Sequence, residues 1–423
     1  MEEVQPLDVL IIGAGLAGLA AAIALGKQGH RVVILEKSSF LREAGAAIHL
    51  PPNCTALLNW MGVDPKEFGG TLLHEIHTYR FDGELKFKKE FADVRSTWQD
   101  EWYLVHRVDL HNHLKNRAIE TADLHTGCKI TSIDINSSSS RPSVTLKDGR
   151  KFEADLLLGA DGLHSQVRGT IAPSAPAPYK VGKACFRWLI PTEDLQKHES
   201  TNEFVKESGI FIEWAADDRR LVAYPCSNSK VYNLCAFAPS EEMTGDTQAD
   251  GWQTSGDKET IIRVFSKFSP GVQKIVESAD DKLKLGMLLS LETQRIRFSH
   301  VSLSNGNLVD QLHPDVEYHL LTSLYRHEKD MGQGGAMAIE DAVGIATLLP
   351  IGIRKNQIPD RLKMYESIRR PRVEYVLKYT RLNGRDENDS ASARITPAEM
   401  VRVMGVCFSY NEIDQCRKIL SAQ

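Results

Sequence analysis

The 423-residue chain lacks any apolar stretch approaching the roughly 20 residues that span a bilayer, and it has no excess of basic residues. Its formal net charge of −5 provides neither a nucleic-acid-binding surface nor a polybasic membrane patch. Residues 1–4 are acidic and lead directly into an apolar stretch, unlike a signal peptide. We therefore expect a cytoplasmic protein with no nucleic-acid partner and no membrane partner.

Cysteine is also scarce, and no two cysteines form a CxxC pair. A dispersed set of this kind predicts reduced core residues rather than disulfides, and we expect no metal site. The sequence also offers no Ser/His/Asp catalytic set. The seven cysteines are Cys54, Cys128, Cys185, Cys226, Cys235, Cys407 and Cys416.

The N-terminal region contains a glycine-rich turn between a strand and a helix. Residues 9–12 are continuously apolar, as in a buried parallel strand, and residues 16–27 favour a helix. Gly13 permits the tight turn, Gly15 lets a pyrophosphate approach the backbone, and Gly18 lets the helix pack closely on the sheet. The free N–H groups of the helix N-terminus would bind the phosphates.

A second strand, residues 31–35, ends at Glu36, which is placed to accept hydrogen bonds from the adenosine ribose. An acid here disfavours a 2′-phosphate, so FAD or NAD fits better than NADP. Strand, helix, strand and acid at this spacing predict a dinucleotide site, whereas the glycines alone would be weak evidence.

Two further motifs follow. Asp161 and Gly162 come after an apolar run and precede Ser165 and Arg168. This motif either contributes to the dinucleotide site or is a plain turn after a strand. Residues 332–350 form a glycine-rich turn that leads into an apolar helix.

The remaining pattern predicts several short strands and a helical C-terminus. We expect a helix capped by Asp109 and another over residues 360–382 that is broken at Pro371. Other predictions are strands within residues 71–91 and 175–240, a hairpin at residues 129–146, a surface loop at 243–258, helices at 259–279 and two short helices at the C-terminal end.

In this order the motifs resemble those of the class A, single-component FAD-dependent aromatic monooxygenases with the p-hydroxybenzoate hydroxylase fold. Within that family the chain is most similar to fungal salicylate hydroxylase-like enzymes. The resemblance covers residues 7–385 and extends to residues 50–53, 106–110, 186–187 and 365–372.

The resemblance implies an α/β fold in which a Rossmann-like FAD-binding domain carries a smaller β-rich substrate domain. The implied division is FAD-binding segments 1–75, 101–174 and 286–370, substrate-domain segments 76–100 and 175–285, and a C-terminal helical segment 371–423.

The resemblance also implies the cofactor contacts, while the catalytic side chains stay unassigned. Arg42 and Arg107 would lie near the pyrophosphate or ribityl groups, and Asp161 would serve both FAD and a transient NAD(P)H. The turn at 331–336 would bring a positive helix end to the isoalloxazine. The implied FAD contacts are Gly13, Gly15, Ala17, Gly18, Glu36, Lys37, Arg42, Ala47, Arg107, Asp161, Gly162, Asp310, Gly334, Gly335 and Ala336.

The activity implied by the resemblance begins with reduction of FAD by NAD(P)H. O2 is then captured as a flavin C4a-hydroperoxide, and oxygen is transferred to an electron-rich substrate. We expect hydroxylation of a small aromatic or polyketide-type compound in secondary metabolism.

Several side chains have two interpretations. Arg107 either contacts FAD or pairs with a surface acid, and His106 is more readily a packed histidine than a base. Arg187 either reaches substrate or forms a structural ion pair. Four aromatic residues either line a pocket or belong to the core: Phe211, Trp214, Tyr224 and Phe237.

The sequence departs from the family near Asp310, the expected ribityl contact. The frame formed by Asp310, His313 and Pro314 is present, but the glycine before it is absent and residues 315–330 lengthen the connection. A strand shortened by about three residues reverses its side-chain phase. Two alternatives follow for this segment: a working site with a lid-like insertion, or a non-catalytic relative with weakened flavin binding. A separate alternative concerns the reaction, which could be an epoxidation or a Baeyer–Villiger oxidation on the same scaffold.

Overall fold

The protein is represented by a computed structural model. The structure describes residues 5–39, 47–135, 141–162, 164–171, 179–243, 254–279, 282–290, 333–383 and 396–422. Predictions for Arg42, Asp310 and the 305–331 segment lie outside these residues.

The described part of the chain contains both parallel and antiparallel strands. They are β1 (Asp8–Ile12), β2 (Arg31–Leu35), β3 (Ala47–Leu50), β4 (Thr71–Leu72), β5 (Glu75–Arg80), β6 (Leu85–Glu90), β7 (Tyr103–His106), β8 (Ala122–His125), β9 (Ile130–Asp134), β10 (Ser143–Leu146), β11 (Lys151–Glu153), β12 (Leu156–Gly159), β13 (Tyr179–Pro191), β14 (Ile210–Ala215), β15 (Arg220–Cys226), β16 (Val231–Pro239), β17 (Thr254–Asp257) and β18 (Lys282–Ser290).

Helices alternate with these strands and dominate the C-terminal part. They are α1 (Leu16–Lys27), α2 (Pro52–Met61), α3 (Val94–Thr97), α4 (Arg107–Ala118), α5 (Gln166–Ile171), α6 (Thr192–Gln196), α7 (Glu199–Val205), α8 (Ser240–Met243), α9 (Lys258–Val264), α10 (Pro270–Glu277), α11 (Gln333–Leu348), α12 (Ile358–Asn383), α13 (Pro397–Phe408) and α14 (Glu412–Ser421). Short 3₁₀ helices cover Pro65–Phe68 and Lys355–Gln357.

The nucleotide-binding half is built on a parallel sheet with the strand order β12-β1-β2-β8. Strands β1 and β12 are apolar because helices and a second sheet cover both of their faces. The predicted helix α1 and strand β2 have the expected bounds, and Gly29 follows α1 with a φ of +92°. The carboxyl ends of β1, β2 and β12 meet at one edge, where the glycine-rich turn lies.

The second half is an eight-stranded sheet with the order β17-β18-β13-β16-β15-β14-β5-β6. Pairing is antiparallel except between β14 and β5. Its outer face carries Phe186 and Trp214 into a core with helices α7, α9 and α10. Its inner face carries Tyr224 and Phe237 towards β3, α12 and α13. Because strand side chains alternate, one set of strands supplies both faces.

Three predicted elements differ from the structure. Helix α4 begins at Arg107, with His106 and not Asp109 at its N-cap, since β7 runs directly into the helix. Helix α12 is continuous through Pro371, because buried arginines on either side of the proline, Arg369 and Arg372, hold the helix against α11. The predicted loop at 243–258 contains strand β17, which pairs with β18.

All seven cysteines are buried, as expected for core residues. The hairpin β9–β10 and the helices at residues 259–279 are confirmed, as are two helices after residue 396. Among the described residues, no helix is both long and apolar enough to cross a membrane.

The outer core of the eight-stranded sheet should contribute strongly to stability. Phe186 is fully buried, and its replacement by alanine would leave a cavity. We expect Phe186→Ala to lower the free energy of unfolding by about 3–5 kcal/mol, measured by chemical denaturation. Leu85→Ala is the matched control because Leu85 is 48% exposed on β6. Equal losses in the two variants would contradict the placement of this core.

Candidate active site

The glycine-rich turn is a tightly packed backbone structure. Gly13 has a φ of +104°, and its N–H donates to the Leu35 carbonyl over 2.8 Å. A Cβ on Gly13 would overlap the Ala160 carbonyl oxygen, and one on Gly18 would overlap the Gly13 carbonyl. These two glycines therefore let β1, α1 and the residues after β12 approach one another at the sheet edge.

Gly15 differs because a Cβ built there meets no atom within 4 Å. It is the N-cap of α1, and no side chain in the described part of the chain caps that helix. The first N–H groups of α1 therefore have no side-chain cap within the described residues. An uncapped helix end next to a glycine with room for a close approach suits a pyrophosphate, so the residues present fit the predicted nucleotide.

The Glu36 carboxylate lies beside this turn at the end of β2. Oε2 accepts from the Ala14 N–H and Oε1 from the Ser38 N–H, each over 2.8 Å. From α4, His111 Nε2 donates to the Ala14 carbonyl over 2.8 Å. His111 is not among the residues predicted from sequence, because a histidine in a helix carries no signal of such a distant partner. Both side chains fix the turn before any nucleotide binds.

Asp161 and Gly162 follow β12 at the same edge. Asp161 accepts from Ser165 Oγ over 2.6 Å and from the Gln166 N–H over 2.7 Å, so its carboxylate caps α5. Gly162 has a φ of +77°, and a Cβ there would meet nothing within 4 Å. The Asp161 carboxylate therefore holds the start of α5, and the backbone at Gly162 has room for a close approach.

Strand β3 lies between the two halves of the molecule. The Ala47 N–H donates to Asn233 Oδ1 and the Ala47 carbonyl accepts from Tyr224 Oη, each over 2.9 Å. On the other side, Gly335 of α11 packs so closely on Ile48 that a Cβ would clash with it. The FAD contact predicted for Ala47 therefore belongs to a strand whose backbone is bonded to the eight-stranded sheet, which is called the substrate sheet below.

A buried ionic cluster holds α11 behind this strand. Arg369 bonds Glu340, Asp341 and Glu412 over 2.7–2.9 Å, and Arg372 bonds Glu340 over 2.8 Å. These side chains are at most 4% exposed. From sequence, only the segments 332–350 and 365–372 were singled out and Glu412 was not, because contacts between segments this far apart become visible only in three dimensions.

The cluster reaches the start of α11 through two amides. Asn53 Nδ2 donates to Gln333 Oε1 over 3.0 Å and to Glu340 Oε1 over 2.7 Å. Arg372 Nη2 also donates to Gln333 Oε1 over 3.2 Å. Gln333, Gly334, Gly335 and Ala336 form the first described turn of α11. The cluster therefore sets the position of the helix end that was predicted to approach the flavin.

The three carboxyl groups of the cluster exceed its two guanidinium groups by one. Burial opposes ionisation of Glu340, but the charges of Arg372 and Arg369 outweigh it and lower the Glu340 pKa. Burial dominates at Asp341 and Glu412, and the pKa of each is raised. Glu340 is therefore the carboxylate on which the cluster depends most.

Arg107 and Arg187 bring two positive charges to the space between β3 and the inner sheet face. Burial, together with the charge of Arg187, lowers the pKa of the Arg107 guanidinium to about 10. Arg187 is on β13, and its ionised form is favoured by interactions with Cys235, Cys185 and Tyr224 despite burial. The two guanidinium groups therefore lie close enough for their charges to interact.

The aromatic residues divide between the two faces of the sheet. Trp214 belongs to the outer core, whereas Phe211, Tyr224 and Phe237 belong to the inner face. His106 Nδ1 lies 3.4 Å from Asp109, consistent with a packed histidine. Of the other predicted contacts, Ala17 is buried inside α1 and Lys37 is exposed after β2. Arg42 and Asp310 lie outside the described residues.

The sequence matches the family model described as FAD binding domain over residues 6–251, more than half of the chain. Hispidin-3-hydroxylase of Neonothopanus nambi is 32% identical over 391 residues, which cover 88% of this chain and 86% of the relative. The chain belongs to the FAD-dependent monooxygenases. The predicted family and the FAD cofactor are thereby confirmed.

Other similarities agree with this family. The chain is 28% identical to 3-hydroxybenzoate 6-hydroxylase 1 of Aquipseudomonas alcaligenes over 383 residues, with 88% of each protein covered. A solved salicylate hydroxylase substrate complex superposes with a TM-score of 0.74 at 18% identity, covering 97% of each chain. The predicted fold of this monooxygenase, with its Rossmann-like FAD-binding part, is confirmed.

The open space at Gly15 leads to a binding prediction. Gly15→Ala should leave the apoprotein melting temperature unchanged, because the new methyl group meets no protein atom. The methyl group would occupy the phosphate path, so we expect FAD to bind at least about tenfold more weakly by fluorescence titration. Gly405→Ala, at an equally open site in α13, is the control. Unchanged FAD affinity in Gly15→Ala would show that the pyrophosphate lies elsewhere.

The pKa values of Glu340 and Glu412 are shifted in opposite directions, and this difference gives a second prediction. Glu340→Gln should lower the free energy of unfolding by about 3–5 kcal/mol, since it leaves Arg372 and Arg369 without their main counter-charge. Glu412→Gln is also isosteric and should cost less, about 1–3 kcal/mol, because burial opposes ionisation of Glu412 and raises its pKa. Chemical denaturation measures both, and a larger loss in Glu412→Gln would refute this assignment.

Proposed function

We propose that this monooxygenase uses NAD(P)H and O2 to hydroxylate a small phenolic compound. The observation that carries the proposal is the double attachment of β3: its Ala47 is bonded to the substrate sheet, and its Ile48 packs on the first turn of α11. A ring bound beside β3 would therefore lie between the helix end and the inner sheet face. The similar hispidin and 3-hydroxybenzoate hydroxylases support an aromatic substrate.

The residues have distinct tasks in this proposal. Gly13, Gly15 and Gly18 would cradle the pyrophosphate, and Glu36 would bind the adenosine ribose. Bound FAD supplies the redox chemistry that activates O2. The N-terminal turn of α11 would stabilise negative charge at the isoalloxazine. The position of this turn depends on the ionic cluster.

The substrate would lie on the inner sheet face. Arg187 and Arg107 would attract an anionic group, either a carboxylate or a phenolate. Phe211 and Tyr224 would stack on the ring and exclude water from the reacting atoms. The remaining contacts proposed for FAD are backbone groups at Gly162, Gly334 and Gly335 and side chains including Arg42 and Asp310.

The altered sequence around Asp310 favours a second candidate, a relative that holds FAD weakly and does not turn over. The first experiment is the visible absorption spectrum of the purified chain before and after addition of FAD and then NADH or NADPH. Flavin bands that bleach with a nicotinamide support the enzyme. A colourless protein that cannot be reconstituted favours the second candidate.

Arg187 provides the mutational test of substrate binding. Arg187→Gln should retain FAD while raising the KM for a carboxylated phenol by roughly tenfold or more, because a charge-assisted contact with the carboxylate would be lost. Arg187→Lys should restore part of the affinity. Product mass spectrometry with each variant identifies the inserted oxygen. A KM unchanged by Arg187→Gln would remove Arg187 from the proposed substrate site.

A further inference from the structure

His49 projects from β3 towards the inner sheet face. Its neighbour Ile48 packs against α11, and successive side chains of a strand point to opposite sides. The His49 ring lies 4.7 Å from the Tyr224 ring and 5.2 Å from the Phe211 ring, centroid to centroid. Both contacts are edge-on, and the Trp102 ring completes the group at 5.9 Å.

The imidazole has no hydrogen-bond partner among the residues that the structure describes, although aromatic rings surround it. Nδ1 is sealed from solvent, and the indole Nε1 of Trp102 is likewise buried and unbonded within that part of the chain. An unmade hydrogen bond of this kind costs about 1–3 kcal/mol. A packing residue would avoid this cost, since phenylalanine fills the same volume without nitrogens.

The ring is also not completely enclosed. Nδ1 is sealed, but Nε2 is not, and His49 as a whole is only half-buried. Dense surroundings with residual accessible surface are typical of a residue that lines a binding site. Its location, between the strand that contacts α11 and the face that carries Arg187, is the location proposed above for the aromatic substrate.

Burial lowers the pKa of His49 to about 4. The imidazole is therefore neutral near neutral pH, and one nitrogen donates while the other accepts. A neutral imidazole would bind a carboxylate of the ligand only weakly, because the charged Arg187 would bind the same group more strongly. A hydroxyl group, by contrast, both donates and accepts, so it bonds to Nε2 in either tautomer.

We propose that His49 is a specificity residue that hydrogen-bonds a ring hydroxyl of the substrate through Nε2, while Phe211, Tyr224 and Trp102 hold the ring plane. This inference rests on the proposed function and adds a recognition rule to it: the ligand carries a free hydroxyl directed at β3. Arg187 would bind an anionic group at the other end of the ring, so two different groups fix its orientation.

The test uses the FAD-bound protein and pairs of probes that differ only at the hydroxyl group. The pairs are 3-hydroxybenzoate with 3-methoxybenzoate and salicylate with 2-methoxybenzoate, titrated by the change in flavin absorbance. The wild-type protein should prefer the hydroxylated member of at least one pair by roughly tenfold in Kd. If the wild-type protein shows no hydroxyl preference, or binds none of the probes, the proposal is overturned.

Three variants separate hydrogen bonding from packing. His49→Phe keeps an aromatic ring and should reduce the preference to about twofold or less, whereas His49→Gln places an amide near the Nε2 position and should retain most of it. His113→Phe is the matched control, because His113 lies on α4 and pairs with Glu67. A His49→Phe protein that folds, holds FAD and keeps the full preference would refute the inference.

The result is separable from the broader proposal. If the wild-type protein binds FAD and prefers the hydroxylated probe but forms no hydroxylated product, the proposed reaction fails while the role of His49 stands. If product forms and His49→Phe keeps both the preference and the KM, the role of His49 fails alone. The thermal melting temperature of each variant identifies any loss caused by misfolding.

Discussion

The buried ionic cluster between α11, α12 and α14 is the constraint on which the site geometry depends. Isolated buried ion pairs rarely add stability relative to apolar packing, but removal of one partner is costly. Such a cluster therefore specifies an arrangement: Arg369 and Arg372 fix the rotation and height of α11. Because Gln333 and Asn53 continue the network, the position of the helix end depends on residues of the C-terminal segment such as Glu412.

The second constraint is the attachment of β3 to the substrate sheet. Tyr224 and Asn233 occupy the backbone groups of Ala47, so the first residue of β3 is fixed by β15 and β16. The glycine contact between Gly335 and Ile48 holds the next residue against α11. The sheet and the helix end are thus connected through two adjacent residues of β3.

Local signals predicted the nucleotide-binding half well and the contacts between distant segments poorly. Gly13, Gly18 and Glu36 were identified because a strand, a tight turn and a helix follow one another directly in sequence. The partners of Arg369 and the role of His111 required the fold, since nothing near them in sequence marks a residue far along the chain. Pro371 misled the prediction because tertiary contacts of its neighbours outweighed its local effect.

The charge distribution connects these constraints with the proposed chemistry. Arg107 and Arg187 are both partly buried, and burial together with the charge of Arg187 lowers the pKa of Arg107. The N-terminal turn of α11, which packs on Ile48 at the other side of β3, adds a positive dipole end. In the proposed function these positive groups would stabilise a bound anion, either a reduced flavin or a phenolate. His49, which burial keeps neutral, adds no positive charge to this region and leaves the attraction of anions to the arginines.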